Sequence, residues 1–276
     1  MRIAFQGLAG ANSEVGIRQH YGASAEAVGF AFSEQVFDAV EQGIVDLGFI
    51  PVENTIAGNV AINMDLLLRH DVSIIAEDYV RIQHHLLVNP GTRLGDVKRV
   101  YSHPVALEQC RPFLQTMGLT PVPDFDTAGA ASALAQRKSF DEAAIAPHLC
   151  AAYYGLEILS DRIQEQKRNI TRFVSFVRPD KLPENLQRQK TSMAFNTRHH
   201  PGALVQCLEQ FSRYEINLTR LESRPVADNP FAYTFFVDFL GAPEEPQVRE
   251  CLMAMSQHTL RIKILGSYAR DLTALK

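Results

Sequence analysis

With 276 residues, the chain has room for one large domain or two smaller ones and for a substantial hydrophobic core. Its 46% hydrophobic and 21% charged content is ordinary for a globular protein, and 27 basic against 31 acidic side chains give a net charge of −4, which argues against nucleic-acid or anionic-membrane partners. No stretch approaches the roughly 18 consecutive apolar residues of a membrane span. No signal-peptide apolar region follows Met1, and Cys110, Cys150, Cys207 and Cys251 form no C-x-x-C pair, so reduced, buried thiols in a cytoplasmic protein are expected.

Residues 2–6 read as a short strand that runs into Gly7-Leu8-Ala9-Gly10-Ala11-Asn12-Ser13. A helix is predicted from Ser13 to about Tyr21, with Ser13 as its N-cap. Strand, glycine-rich turn and helix either make a tight turn or present N–H groups to a small anion. A dinucleotide fingerprint lacks its middle glycine, because Ala9 stands there. Residues 25–32 read as a second strand, and Ser33 as the cap of a helix to about Gln42, with Val36, Phe37 and Val40 on one face. Residues 47–52 form a third strand that empties into the polar loop Glu53-Asn54-Thr55-Ile56-Ala57-Gly58-Asn59. Ligands bind at that end of strands in open α/β sheets, although a cap for a helix over 60–68 would use the same residues.

Residues 72–76 and 80–88 read as strands. His84 and His85 are neighbours in the second, face opposite sides and cannot share a metal, which leaves them core or surface roles. A strand at 100–101 ends in Ser102-His103-Pro104, and one helix continues through Ala106, Leu107, Gln109, Cys110 and Leu114. After a strand at 119–122, Asp126 or Thr127 caps a further helix; a buried strand at 143–146 and a helix at 147–154 ended by Gly155 follow. Thr171, Arg172 and Phe173 then place a hydroxyl, a cation and a ring on consecutive residues where a loop enters an apolar strand at 173–177. In an extended chain Thr171 and Phe173 share one face and Arg172 takes the other; a turn would let all three converge. The plain alternative is a strand end with a solvated arginine. Ser13, Thr55, Ser102, Thr127 and Thr171 all fall at strand ends, which suggests one polar cleft between two lobes.

Residues 178–189, with Pro179, Pro183 and little apolar content, read as a linker. Strands at 191–197, 218–222, 233–239 and 262–266 and helices at 201–214 and 245–257 complete a β-α-β-β-α-β order of the ferredoxin-like kind. The expected fold class is therefore α/β for roughly 180 residues, then a small α+β unit of about 80.

Several motifs stand in a telling order: Gly7-x-x-Gly10-x-x-Ser13, Pro51-Val52-Glu53-Asn54-Thr55-x-x-Gly58, Ser102-His103-Pro104 with Gln109-Cys110, Asp126-Thr127-Ala128, Ala144-Ile145-Ala146 with Tyr154-Gly155-Leu156, and Asn169-x-Thr171-Arg172-Phe173. With Gly202-Ala203-Leu204-Val205 and Glu222-Ser223-Arg224-Pro225 they resemble the bacterial prephenate dehydratases that carry a C-terminal ACT regulatory domain. The resemblance implies a two-lobed catalytic domain like a type 2 periplasmic binding protein over 1–180, with lobe 1 at 1–75 and 160–180 and lobe 2 at 76–159. It implies a linker at 181–189 and a ferredoxin-like ACT domain at 190–276. The implied reaction is the decarboxylating dehydration of prephenate to phenylpyruvate, carbon dioxide and water, with neither cofactor nor metal.

On that resemblance the catalytic residues are Thr171, Arg172, Phe173, Asn54, Thr55, Ser102, Gln109 and Thr127. Arg172 would grip a carboxylate in bidentate fashion. Thr171 would donate to the departing hydroxide, and Phe173 would stack on the substrate ring or simply pack. Gly7, Gly10, Ser13, Glu53 and Asn169 would bind substrate. Gly202, Ala203, Leu204 and Val205 with Glu222, Ser223, Arg224 and Pro225 would bind L-phenylalanine where two ACT domains meet, in a dimer or tetramer. Two other readings stay open: an arogenate dehydratase, whose substrate has an amino group in place of the keto oxygen, and a two-lobed ligand-binding module without chemistry.

Overall fold

The computed structural model describes residues 1–226 and 232–272. In chain order the elements are β1 (Arg2–Gln6), α1 (Asn12–Tyr21), β2 (Glu26–Phe30), α2 (Ser33–Glu41), β3 (Leu47–Asn54), β4 (Gly58–Asn59), α3 (Ala61–Arg69) and β5 (Ser73–Arg81). They continue with β6 (His85–Val88), β7 (Arg99–Ser102), α4 (Pro104–Gln109), α5 (Arg111–Thr116), β8 (Thr120–Pro123), α6 (Thr127–Arg137), β9 (Glu142–Ala146), α7 (Leu149–Tyr154), β10 (Glu157–Ser160) and β11 (Ile170–Val177). The last six are β12 (Lys190–Thr197), α8 (Ala203–Arg213), β13 (Leu218–Pro225), β14 (Tyr233–Leu240), α9 (Pro246–Ser256) and β15 (Thr259–Ala269).

The chain forms two compact units, Met1–Val60 with Asp78–Phe173 and Ala61–Glu77 with Val174–Lys276. The first unit holds two sheets, as a two-lobed α/β fold requires. In one, β1 pairs in parallel with both β2 and β3. The other has the order β10-β6-β9-β7-β8, with β9 buried along its whole length in the manner of a strand covered on both faces. Gly16 in α1 is a packing requirement rather than a turn: a Cβ there would sit 2.8 Å from both Phe49 and Val80.

The second unit has the expected β-α-β-β-α-β order, with an antiparallel sheet β13-β14-β12-β15. Its helices close over Met193, Phe195, Phe211, Val237, Phe239 and Met255. All four cysteines are free and buried, and burial pushes their thiols up, to about 12 at Cys110 and Cys150 and about 11 at Cys207 and Cys251.

The division between units does not fall in residues 181–189, where the sequence placed a linker; it passes through β5 and β11. Residues 61–77 are bound into the second unit by side chains from its sheet. Lys263 Nζ donates to the carbonyls of Leu67 (3.1 Å), Leu68 (2.9 Å) and His70 (2.7 Å) at the end of α3. Arg224 meets Asp65 at 2.5 Å, and Lys190 forms a buried ion pair with Glu77 at 2.6 Å. β15 adds in parallel to the first half of β5, and Gly266 lets the backbones close: a Cβ there would lie 2.2 Å from the Ile74 oxygen.

Other boundaries differ from expectation for local reasons. Ser13 does not cap α1; Ala11 takes the N-cap place and the Glu14 carboxylate reaches back to the Gly10 N–H at 2.8 Å. Ser33 is likewise inside α2, where Gln35 accepts from the Phe32 N–H. The single helix expected through 106–114 breaks at Cys110 into α4 and α5, since Pro112 supplies no N–H to continue the ladder. The strand expected over 80–88 ends at Arg81 and resumes at His85. Thr171, Arg172 and Phe173 lie within β11 and not in a loop before it.

Candidate active site

In the first unit a cavity of about 300 Å³ opens among the carboxyl ends of β1, β3 and β7 and the starts of α1, α4 and α6. Its polar lining is Gln6, Asn12, Ser13, Asn54, His84, His103, Gln109, Asp126, Thr127 and Thr171, and Pro51, Val60, Ile82, Val105 and Phe173 make most of the apolar wall. Gly7 lines it too, at φ 127°, with its N–H spent on the Phe30 carbonyl at 2.8 Å. No lysine or arginine is among these lining residues. The first N–H groups of α1, at Asn12 and Ser13, have no partner within the helix and suit an anionic group. Asp126 is occupied as the N-cap of α6, where it accepts from the Gly129 N–H at 2.5 Å.

β11 alternates as an extended strand must, so Thr171 and Phe173 reach the cavity and Arg172 does not. Arg172, expected on a substrate carboxylate, is buried at 4% exposure away from the cavity lining. Phe173 stacks on Phe49, ring centroids 4.6 Å apart and planes 8° from parallel, which makes it part of the core as well as of the wall. Asn54 donates from Nδ2 to Thr171 Oγ1 at 2.9 Å and to Asn169 Oδ1 at 2.7 Å. Asn169 is fully buried and donates to Gln109 Oε1 at 2.8 Å, so it stands behind the cavity and not in it.

Four further expected residues are used elsewhere. Thr55 donates to the Arg168 carbonyl at 3.1 Å and accepts from the Ile170 N–H at 3.0 Å, tying its loop to β11. Ser102 is fully buried and donates to the Ile145 carbonyl at 2.6 Å, joining β7 to β9. Gly10 gives its N–H to Glu14, and its backbone lies so close to Cys150 that a Cβ would meet the sulfur at 2.7 Å. Glu53 pairs with Asn59 in the β3–β4 hairpin and is absent from the lining.

The sequence also left out lining residues, above all His84 and His103. His84 is 3% exposed and its Nε2 lies 2.8 Å from Gln109 Oε1. Burial pushes its pKa down, against the raising effect of the Gln109 contact and aided by repulsion from His85, so the ring is neutral near pH 7. His103 caps α4, its Nδ1 accepting from the Val105 N–H at 3.2 Å. The usable signal was the break between β5 and β6, which an unbroken strand over 80–88 concealed.

A second pocket of about 280 Å³ lies in the second unit, lined by Thr197, Arg198, His199, His200, Gly202, Ala203, Leu204, Val205, Ala232, Tyr233 and Leu260. Gly202 stands at φ 82° and starts α8. The other expected effector residues lie apart from it on β13: Glu222 pairs with Arg220, Arg224 with Asp65, and Ser223 and Pro225 are not in the lining.

Residues 3–181 match the family model described as Prephenate dehydratase. Arogenate dehydratase/prephenate dehydratase 2, chloroplastic, of Arabidopsis thaliana is 37% identical over 100% of this chain and 74% of its own length. Among solved structures, a prephenate dehydratase in complex with L-Phe from Arthrobacter aurescens superposes with a TM-score of 0.89 at 32% identity, covering 98% of this chain and 90% of that one. GqqA, described as a novel type of quorum quenching acylase, superposes with a TM-score of 0.90 at 33% identity over 99% of both chains.

Proposed function

The chain belongs to the prephenate dehydratase family, whose members are decarboxylating dehydratases, and from that premise we propose that it converts prephenate to phenylpyruvate, carbon dioxide and water at the cavity of the first unit. The observation that carries this reading is the Asn54–Thr171 hydrogen bond of 2.9 Å. It fills an acceptor site of the Thr171 hydroxyl and leaves that hydroxyl's proton for a ligand in the cavity.

Prephenate carries two carboxylates and a ring hydroxyl. The bond from ring to carboxylate breaks, releasing carbon dioxide, and its electron pair enters the ring; the bond to the hydroxyl oxygen breaks, the oxygen leaves with that bond's pair as hydroxide, and a proton from solvent makes it water. The ring becomes aromatic, so the step is downhill and needs little more than orientation and a donor at the leaving oxygen. Thr171 serves as that donor, acting as a preorganised hydrogen bond because a threonine hydroxyl is a very weak acid. Asn54 holds Thr171, Gln109 and Thr127 contact the ligand, and the N–H groups at the start of α1 receive a carboxylate. Glu53, Thr55, Ser102, Asn169 and Arg172 act behind this wall as positioning residues.

The acylase activity belongs to GqqA's own description; here the hydrogen bonds of His84 and His103 run to Gln109 and to the Val105 N–H, and the family match supports the dehydratase reading. The second pocket is the place for L-phenylalanine as feedback effector, the ligand of the Arthrobacter aurescens relative, within an ACT-type regulatory unit that self-associates. The free N–H groups at the start of α8 suit its carboxylate. Turnover of prephenate and of arogenate, each with and without L-phenylalanine, tests both parts. Preference for prephenate and a response to L-phenylalanine are expected; turnover of arogenate alone would replace the substrate, and indifference to L-phenylalanine would remove the effector.

A further inference from the structure

The cavity wall contains a chain of amides whose polarity can be read outward from the backbone. Asn54 Oδ1 accepts from the N–H groups of Ile56 (2.9 Å) and Ala57 (2.7 Å), and its Nδ2 lies 3.3 Å from the Ile170 carbonyl. A backbone N–H only donates and a carbonyl only accepts, so this amide has one orientation. Its Nδ2 therefore donates to Asn169 Oδ1 at 2.7 Å and to Thr171 Oγ1 at 2.9 Å. With that oxygen engaged, Asn169 sends its own Nδ2 to Gln109 Oε1 at 2.8 Å. The same Gln109 oxygen lies 2.8 Å from His84 Nε2, which must then carry the ring proton. Thr171 and Gln109 end the chain in the cavity, one with an O–H and the other with an NH₂ left for a ligand. Both are donors.

We propose that this fixed polarity selects the substrate: Gln109 gives its NH₂ to an acceptor on the ligand side chain, the keto-carboxylate end of a 2-oxo acid, and His84 is the positioning residue that holds it there. The inference rests on the dehydratase reading above and adds to it the choice between a keto and an ammonium group. An ammonium at this place sets donor against donor and leaves both unpaired in a confined site, the situation in which enzymes discriminate most strongly. His84 is built for the task. Its backbone N–H is held by Gln164 Oε1 at 3.0 Å and its carbonyl by the Ile163 N–H at 2.9 Å. Its Nδ1 is buried without a hydrogen-bond partner among the described residues, which offer nothing to a proton on that nitrogen, and burial favours the neutral ring.

The tautomer is measured first, by ¹⁵N NMR of the full-length protein, with the His84 signals identified by their loss in His84→Gln. A proton on Nε2 and a bare Nδ1 are expected; a proton on Nδ1 would overturn the polarity. The second measurement is kcat/KM for prephenate and for arogenate in wild type, Gln109→Glu, His84→Gln and His84→Leu. Gln109→Glu keeps the oxygen that Asn169 and His84 need but replaces the NH₂ with an acceptor. It should move the arogenate-to-prephenate ratio at least about tenfold toward arogenate. His84→Gln, which can still donate, should retain more prephenate turnover than His84→Leu. An equal fall with both substrates in Gln109→Glu would overturn the selective role. A wild type that turns over neither substrate would remove the dehydratase reading, and the selectivity with it, whereas the tautomer would still decide the polarity of the wall.

Discussion

The two candidate ligand sites are made in different ways. The cavity of the first unit is lined by side chains whose orientations are set by other buried groups: Asn54 by two backbone N–H groups, Gln109 by Asn169, Asp126 by Gly129. The pocket of the second unit is bounded by a helix start and by well-exposed side chains, with Val205 at 56% exposure and Leu260 at 69%. Chemistry needs direction, which comes from buried polar networks. Reversible capture of an effector needs surface and a few N–H groups, which an exposed helix start provides. Single atoms should therefore matter in the first pocket, and added bulk or charge in the second.

The sharpest test of that contrast is Thr171→Ala, which removes one hydroxyl and should lower kcat by about 10²–10⁴-fold with the fold intact. Near-normal turnover would mean that direction at this atom is unimportant. Next comes Val205→Glu, which sets a carboxylate at the start of α8 beside the carboxylate of L-phenylalanine. A rise in Tm with L-phenylalanine is expected in wild type and its loss in this variant, and an undiminished rise would move the effector elsewhere.

Gly16→Ala probes the packing behind the cavity wall, since the added methyl runs into Phe49, on which Phe173 stacks. Overpacking of this kind costs about 1–3 kcal/mol, to be read as a fall in Tm or in denaturation midpoint. The smallest effect concerns His84, whose pKa is lowered by burial. Above its ordinary value of about 6.5 both states hold the ring neutral, and below it the unfolded chain takes up the proton first. Stability should thus fall as the pH drops from about 6.5 toward the depressed folded value. Urea unfolding across that range should show a shallower loss in His84→Gln, and an unchanged slope would argue that the ring is not buried as described.

Much of this contrast was legible in the sequence. Alternation of apolar strands and helices pointed to an α/β first unit, the family resemblance added its two lobes, and the β-α-β-β-α-β order pointed to the second; of the two cap candidates, Asp126 and Thr127, Asp126 takes the place. Thr127 and Thr171 stood out as hydroxyls at strand ends, and Asn54 and Gln109 through the motifs that carry the family resemblance; all four line the cavity. What was not legible is which of those groups a neighbour already uses. Ser102 and Thr55 look like Thr171 in a sequence, yet one is bonded to Ile145 and the other to Arg168 and Ile170. Arg172 was assigned by its chemistry, whereas the period of two along β11 decided its side. His84 was missed because the end of a strand depends on long-range pairing that local propensity does not encode.

The attachment of α3 to the second unit bears on how such a protein can be inherited. Its residues 61–77 sit in the middle of the first unit's sequence, yet they are held by Lys190, Arg224 and Lys263 from the far end of the chain. A gene-fusion event that acquired or lost a C-terminal segment as one contiguous piece would leave Asp65 and Glu77 without their cations and the last carbonyls of α3 without a cap. Mutations on the two sides must therefore travel together, so charge changes at Asp65 and Arg224, or at Glu77 and Lys190, should be tolerated as exchanged pairs and selected against singly. The second unit is thus tied to the heredity of a helix encoded between two stretches of the first.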